Sequence, residues 1–356
     1  MKDLKDYREQ IHKCSKCGLC QAECPIYKIT GNDCSVSRGH FVMLKGVLDG
    51  ELKLSKPIKR YLDLCLKCGA CTKFCPSGID IIDIVTVAKS EFFKRNKLEK
   101  LKSFILKYLI FGLFIKLVKI FVKPYGSKNY TEKVLFFGGC GSSIKGDKNI
   151  VKILNSVEVE VINPQFDCCG IPYFTGGDLK EFQNAIKKFI NTVKKYDIKE
   201  IVVNCASCEK ALRDYIKWVD NDVDKEVLKE LKIKNIYEFL RKKNIKLKLK
   251  QCAKVTYHKP CNIDNFNDIQ WLLNNTENLE YIEMKDFDKC CGFSGIPNFK
   301  EIKIMKNIYN TKRENIKNSG ANIVLTSCLG CEAALKAYSF RQYKVFDFIE
   351  FIATHL

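Results

Sequence analysis

Two stretches near the start of the chain carry the same run of four cysteines, and no other feature constrains the fold as strongly. Each run has the spacing C-x2-C-x2-C-x3-C, and a proline follows directly, Pro25 after the first and Pro76 after the second. The residues after Met1 include no apolar run of the kind that a secretory signal needs, so we expect no such signal. Clustered cysteines in such a chain indicate metal ligation or redox chemistry, not a disulfide framework.

The spacing of the two runs is that of paired cubane [4Fe-4S] clusters in bacterial ferredoxins. Three thiolates on one tight loop hold three corners of a cluster, and the fourth cysteine leads into a helix and ligates the other cluster. A pair of zinc sites is the alternative, but eight cysteines with both prolines in place favour the ferredoxin interpretation. The predicted ligands are Cys14, Cys17, Cys20 and Cys75 for the first cluster, and Cys65, Cys68, Cys71 and Cys24 for the second.

Ten of the remaining cysteines fall into two series that repeat along the chain. The offsets between matching members are 121, 122, 123 and 123 residues, and such constancy indicates one unit present twice. The other two, Cys34 and Cys252, match no position in either pattern, and we interpret them as ordinary cysteines. The first series is Cys140, Cys168, Cys169, Cys205 and Cys208, and the second is Cys261, Cys290, Cys291, Cys328 and Cys331.

Apolar runs precede the cysteines of each series, as in 201–204 before Cys205 and 323–326 before Cys328, and helix-like stretches such as 178–195 intervene. Strand, cysteine and helix in repeated order predict a parallel sheet that gathers the cysteines at its carboxyl edge. Helix N-termini at this edge favour an anionic cluster. Adjacent cysteines suit a polynuclear cluster better than one zinc ion, and the alternative is that these pairs are buried and inert.

The CCG motifs, each followed by a CxxC pair, resemble the cysteine-rich CCG domain of heterodisulfide reductases. A twin ferredoxin in front of two such domains resembles the fused iron–sulfur subunit of membrane-type heterodisulfide reductase. It is also similar to the iron–sulfur subunits of glycolate oxidase, lactate utilisation and anaerobic glycerol-3-phosphate dehydrogenase. The segment 35–52 and the run Tyr257-His258-Lys-Pro260-Cys261 match stretches of the same superfamily, whereas Asn262 stands where many relatives carry a histidine.

The resemblance implies a multidomain α+β/α/β chain. We expect an N-terminal all-helical-type twin [4Fe-4S] ferredoxin domain over 1–98 and an amphipathic linker helix over 99–130. Two repeated α/β CCG units with parallel sheets follow, over 131–248 and 249–356.

The resemblance also implies one or two noncubane [4Fe-4S] clusters in the CCG units, in addition to the two cubanes. Both five-cysteine sets are complete, which favours reduction of a coenzyme M–coenzyme B type heterodisulfide with electrons relayed by the cubanes. The alternative is an electron-relay subunit of a flavin-dependent 2-hydroxy acid (glycolate or lactate) or glycerol-3-phosphate dehydrogenase. His258 is either a proton source or the donor of an ordinary hydrogen bond to backbone. The candidate catalytic residues are Cys168, Cys169, Cys290, Cys291 and His258.

The sequence contains no G-x-G-x-x-G dinucleotide fingerprint and no Walker A motif, so we expect no flavin or nucleotide on this chain. An electron-exchanging partner subunit is therefore expected: a membrane cytochrome b, a hydrogenase or flavoprotein, or a flavin dehydrogenase. The expected substrate is a small thiol or disulfide.

Between the ferredoxin region and the first CCG unit, the stretch 103–123 is apolar apart from lysines that fall mainly on one side of a helix. Its longest uncharged run is too short to cross a bilayer. The helix would either contact a membrane surface or membrane subunit through Phe111, Phe114 and Phe121, or pack on the protein's own domains. We expect a cytoplasmic protein, which the first alternative would place at the inner face of the membrane.

The formal net charge of +20 is concentrated in two segments, 89–133 and 241–254. The second carries seven basic and no acidic residues, and no aromatic platform for stacking bases accompanies it. We therefore expect no nucleic-acid partner. The basic segments instead predict a docking surface for a partner subunit, an anionic lipid or an anionic thiol substrate.

Overall fold

The computed structural model describes residues 2–97, 100, 101, 105, 127–141, 147–164, 166–293 and 302–356. Most of the predicted linker helix, including the three phenylalanines named above, lies outside the described residues, and its role stays a prediction. Among the described residues, no helix combines the length and apolar character needed to cross a membrane. The chain divides into two compact units: Met1–Leu106, Pro172–Phe182 and Gly292–Thr311 form one, and Lys107–Ile171, Gln183–Cys291 and Lys312–Leu356 form the other.

The described residues between 2 and 97 are helical and contain no strand, which confirms the predicted all-helical N-terminal region. Their core is apolar, with Leu44, Leu62 and Ile84 fully buried. Two short 3₁₀ helices, Lys5–Tyr7 and Asp33–Ser35, accompany seven α-helices. The α-helices are α1 (Arg8–His12), α2 (Leu19–Glu23), α3 (Pro25–Thr30), α4 (Ser37–Leu48), α5 (Lys56–Leu64), α6 (Ala70–Lys73) and α7 (Ile81–Arg95).

In the described part of the chain, eight strands form two parallel four-stranded sheets, which confirms the predicted architecture of the two CCG units. The strand order is β2-β1-β3-β4 in the first sheet and β6-β5-β7-β8 in the second, so the two sheets share one topology. The strands are β1 (Glu132–Phe137), β2 (Val159–Ile162), β3 (Glu200–Val203) and β4 (Lys232–Asn235), then β5 (Leu247–Tyr257), β6 (Thr276–Tyr281), β7 (Ile323–Thr326) and β8 (Lys344–Asp347).

The central strands β1 and β3 of the first sheet are buried on both faces, as expected where helices cover a parallel sheet. In the second sheet the last residues of β5 and most of β7 are buried. Residues 134–137 of β1 and 201–203 of β3 are at most 2% exposed. Asp178 begins one covering helix, because its carboxylate accepts a hydrogen bond from Glu181 N at 3.2 Å. The helices are α8 (Lys148–Ser156), α9 (Ile171–Gly176), α10 (Leu179–Val193), α11 (Ala206–Asp214), α12 (Asp222–Glu230), α13 (Ile236–Lys242), α14 (Asn267–Asn275), α15 (Ile302–Asn318), α16 (Leu329–Tyr338) and α17 (Phe348–His355).

Within the second compact unit, the two sheets meet at the carboxyl ends of their central strands. Ala206 N, just after β3, donates to Ser327 O, just after β7, at 2.9 Å. The Asn204 amide donates to the Asp347 carboxylate at 3.3 Å. This contact places the CxxC segment of each repeat next to that of the other.

Candidate metal centres

The two ferredoxin-type loops have the same backbone turn. Lys16 and Lys67, each in the x-x of the first CxxC, have φ of 58° and 54°. The glycines that follow, Gly18 and Gly69, have φ of 84° and 74°, a left-handed conformation that glycine adopts without strain. The chain then enters α2 or α6 directly. Each loop therefore turns its cysteines around a common centre.

The compact unit that contains α1 to α7, hereafter the helical unit, has two separate cavities that are each lined by four cysteines. In each cavity three of the cysteines come from one run and the fourth cysteine comes from the other run. Burial raises the pKa of Cys24 to about 12, so a metal binding there must displace a proton from a thiol that holds it firmly. Four thiols around each cavity are the donor set that a [4Fe-4S] cluster requires. Cys14, Cys17, Cys20 and Cys75 line one cavity, and Cys24, Cys65, Cys68 and Cys71 line the other.

Helix α4 contributes to both cavities. Ser37 lines both of them, Arg38 lines the first and His40 lines the second. The helix approaches the preceding 3₁₀ turn closely at Gly39, where a Cβ atom would lie 2.0 Å from Asp33 O. Only glycine fits there without a shift of the backbone, which explains the glycine at position 39.

The first five-cysteine set forms a chain of sulfur contacts at the carboxyl edge of its sheet. Cys208 Sγ lies 3.4 Å from Cys169 Sγ, and Gly170 N donates to Cys168 Sγ at 3.4 Å. Hydrogen bonds link the thiols of Cys140 and Cys168, and those of Cys205 and Cys208. The predicted ligands of this set therefore come together in the structure.

Sulfur contacts of the same kind occur in the second set. Cys291 Sγ lies 3.3 Å from Cys331 Sγ, and Cys328 is hydrogen-bonded to Cys331. Ser207, from the first repeat, makes a 3.2 Å hydrogen bond with Cys328 Sγ and accepts one from Asn262 at 3.0 Å. Asn262 thus has a structural role at the position where many relatives carry a histidine.

A thiol–thiol contact between Cys205 and Cys328 joins the two sets. The pKa of Cys328 is held well below its usual value, because the Cys205 and Cys331 thiols and the Ser207 hydroxyl donate hydrogen bonds to its sulfur. Sequence reasoning missed this junction, since repeat spacing does not say how two repeats pack. The path of contacts therefore runs without a break from Cys140 to Cys291.

His258 and Lys312 lie beside the second set, and both are buried. Neither ring nitrogen of His258 makes a hydrogen bond of standard geometry with a described residue, but the Phe287 backbone is close enough to the ring to oppose the lowering of its pKa, so a backbone hydrogen bond remains one of its two predicted roles. Burial, with repulsion from Lys312, holds the pKa of His258 well below its usual value, so its imidazole is neutral. Burial lowers the pKa of Lys312 to about 8, although Cys291 and Cys290 oppose the shift. No sequence signal distinguished Lys312 from the other lysines of α15.

Neither cysteine outside the two patterns lines one of these cavities. Cys252 lies exposed on β5, and Cys34 is partly buried in the 3₁₀ turn before α4. Both placements agree with their interpretation as ordinary cysteines.

Models of two known domain families match the chain. Residues 10–79 match the model of the 4Fe-4S dicluster domain. Residues 134–213 and 255–336 each match the model of the cysteine-rich domain, CCG. A dicluster domain implies two [4Fe-4S] clusters, and the cysteines of the CCG domains suggest further ones.

Full-length relatives fall into different enzyme classes at low identity. The probable glycolate oxidase iron-sulfur subunit of Bacillus subtilis is 23% identical over 92% of this chain and 88% of its own length. One subunit of the dihydromethanophenazine:CoB–CoM heterodisulfide reductase of Methanosarcina acetivorans is 21% identical over 92% and 88%. The crystal structure of a hypothetical protein from Helicobacter pylori, 11% identical, aligns with a TM-score of 0.55 over 99% of this chain and 71% of its own, which supports the fold alone.

Proposed function

We propose that the chain serves an oxidoreductase that reduces a thiol heterodisulfide of the coenzyme M–coenzyme B type. The chain belongs to the iron–sulfur proteins that join a 4Fe-4S dicluster domain to two CCG domains. It has distant homology to subunits of glycolate oxidase and heterodisulfide reductase. The observation that carries this proposal is the continuous path of thiol contacts from Cys140 to Cys291, which includes eight of the ten CCG cysteines.

The eight cysteines of the helical unit would hold two cubane [4Fe-4S] clusters, four in each cavity. The ten cysteines of the CCG domains would hold one or two noncubane clusters. When bound, these groups supply one-electron transfer and iron sites with affinity for substrate sulfur.

The residues around the CCG cysteines would stabilise thiolates and exchange protons with product thiols. Splitting a disulfide consumes two electrons and two protons and releases two thiols. Lys312 places a buried ammonium next to Cys290 and Cys291, where it would stabilise thiolate charge. A cavity of about 50 Å³ reaches Cys205, and its lining includes the carboxylates of Glu332 and Asp347, which would exchange protons with a nearby product thiol.

A second candidate is an electron-relay subunit of a flavin-dependent 2-hydroxy acid or glycerol-3-phosphate dehydrogenase. The match to the glycolate oxidase iron-sulfur subunit extends over 92% of the chain and favours it. In this case a partner flavoprotein performs the chemistry, and the CCG cysteines only pass electrons.

Anaerobic reconstitution followed by iron counting and a disulfide assay distinguishes these functions. The proposal expects roughly 12 iron atoms per chain with one noncubane cluster or roughly 16 with two, and oxidation of reduced viologen by a coenzyme M–coenzyme B heterodisulfide. Cys291→Ser should abolish this activity, whereas Cys252→Ser, at an exposed cysteine outside both sets, should retain it.

The opposite results would overturn the proposal. A chain loaded with roughly 12 or 16 iron atoms that accepts electrons from a hydroxy-acid flavoprotein, and never reduces the disulfide, is the relay subunit. A chain that binds only about 8 iron atoms has no metal centre in its CCG domains.

A further inference from the structure

We propose that His258 is a nitrogen ligand of the second CCG centre, together with Cys291 and Cys331. This inference rests on the proposed presence of a metal centre in that domain. The ligating atoms of the three side chains lie within 4.8 Å of one another, and all three side chains are buried. Ligands that share one tetrahedral metal lie roughly 3.5–3.8 Å apart, so small rotamer changes bring the imidazole into range.

The burial of His258 supports this role. Its exposed fraction is 0%, and neither ring nitrogen makes a hydrogen bond of standard geometry with a described residue, although the Phe287 backbone interacts with the ring. A buried polar group without a partner is costly, and the structure around it normally supplies one. A metal bound to one nitrogen removes that cost for this atom, and a neutral imidazole is the form that coordinates metals.

The backbone fixes the position of the ring. His258 N donates to Leu325 O at 2.8 Å and continues the ladder between β5 and β7. The Tyr257 hydroxyl pairs with the Ser327 hydroxyl at 2.5 Å. These contacts hold His258 at the carboxyl edge of the sheet, where Cys328 and Cys331 also begin their helix.

The first repeat has no histidine at the equivalent position. Phe137 lies three residues before Cys140, as His258 lies three residues before Cys261. Its ring packs on Phe166 and Phe189 with centroid distances of 5.1 and 5.9 Å. The two centres therefore have different ligand sets: cysteine alone in the first repeat, cysteine and histidine in the second.

This difference has a redox consequence. If the imidazole binds iron in place of one of the five thiolates of the second set, it reduces the negative charge around iron and raises the reduction potential, as histidine does in Rieske centres. The Lys312 ammonium acts in the same direction. The second centre should therefore accept electrons more readily than the first.

Pulsed EPR and Mössbauer spectroscopy of the reconstituted full-length chain test the ligand. The chain contains four histidines, so ¹⁵N-histidine labelling gives a spectrum with few contributions. We expect a directly coordinated nitrogen whose coupling changes with the label and disappears in His258→Phe. It should persist in Phe137→Leu and in His40→Gln; His40 lines a ferredoxin cavity and controls for that source.

His258→Cys gives a second measurement that does not depend on a paramagnetic state. We expect it to keep the iron content, change the ⁵⁷Fe Mössbauer parameters of one site and lower the midpoint potential of the second centre. Two results would overturn the inference: a cluster-loaded wild-type protein that shows no nitrogen coupling, or wild-type Mössbauer spectra identical to those of His258→Cys. Either result leaves the proposed function intact. An iron content of about 8 atoms per chain overturns the proposed function itself, and with it the premise of this inference.

Discussion

Replacing Lys67 by methionine should lower the midpoint potential of the cubane proposed in the second ferredoxin cavity. Lys67 lines this cavity, and its ammonium is buried without a hydrogen-bond partner among the described residues. Burial, followed by repulsion from Lys89, holds its pKa well below the usual value, while the Cys65 thiolate opposes the shift. A cubane with four thiolates is anionic and favours the charged lysine further.

Coulomb's law gives the size of the effect. Two unit charges about 7 Å apart, a separation typical of side chains around one cavity, interact by roughly 2.4 kcal/mol at an effective dielectric constant of about 20. Reduction adds one negative charge to the cluster, and about 1.4 kcal/mol corresponds to about 59 mV for one electron. Loss of the cation should therefore lower the potential by about 100 mV.

Lys16→Met is the matched control, because Lys16 occupies the same position in the other loop with nearly the same φ. Lys16 is exposed, and at the dielectric constant of water the same arithmetic gives about 25 mV or less. EPR-monitored redox titration of both cubanes under anaerobic conditions measures the two shifts. Equal shifts in the two variants, or a higher potential in Lys67→Met, would refute the electrostatic reasoning.

Two further predictions concern the stability of the helical unit. Gly39→Ala should destabilise it by about 3 kcal/mol or more, because the new Cβ would meet Asp33 O at 2.0 Å; urea unfolding measures this, with Gly176→Ala, which meets nothing within 4 Å, as the control. Asp63→Asn should cost about 2–4 kcal/mol at pH 7, because it leaves the buried Lys89 ammonium without its partner at 3.0 Å. Burial alone would raise the pKa of Asp63, but Lys89 and Lys59 together outweigh it and lower the pKa. The wild-type advantage should therefore persist at pH 5 and shrink as the pH falls below about 4; an undiminished difference at pH 3 would contradict the ion pair's role.

The sequence was sufficient to predict the fold class, because each element carried its own signal. Apolar runs that end in cysteine marked β1, β3 and β7, and the constant offsets showed that their sheets would share one topology. The exchange of the fourth cysteine between the loops is a property of the ferredoxin spacing, and the four-cysteine cavities have the predicted composition.

What the sequence could not predict depends on long-range packing. The Cys205–Cys328 junction joins two repeats, and each repeat's pattern is complete without it. Lys67 and Lys312 look like surface residues in a chain rich in lysine, and only the structure shows that they are buried beside cysteines. Burial of a lysine is set by the elements that pack over it, which a local pattern does not specify.

In both duplicated modules, the second copy has a buried basic or neutral nitrogen-bearing residue at a position where the first copy has an exposed or apolar one. In the ferredoxin loops, the exposed Lys16 of the first copy corresponds to the buried Lys67 of the second. In the CCG domains, Phe137 of the first copy corresponds to the buried His258 of the second. If Lys67 and His258 act as proposed, each second copy would have less negative charge near its centre and a higher affinity for electrons. Duplication supplies two equal binding sites, and these few buried substitutions would make them unequal, which is what a directed flow of electrons requires.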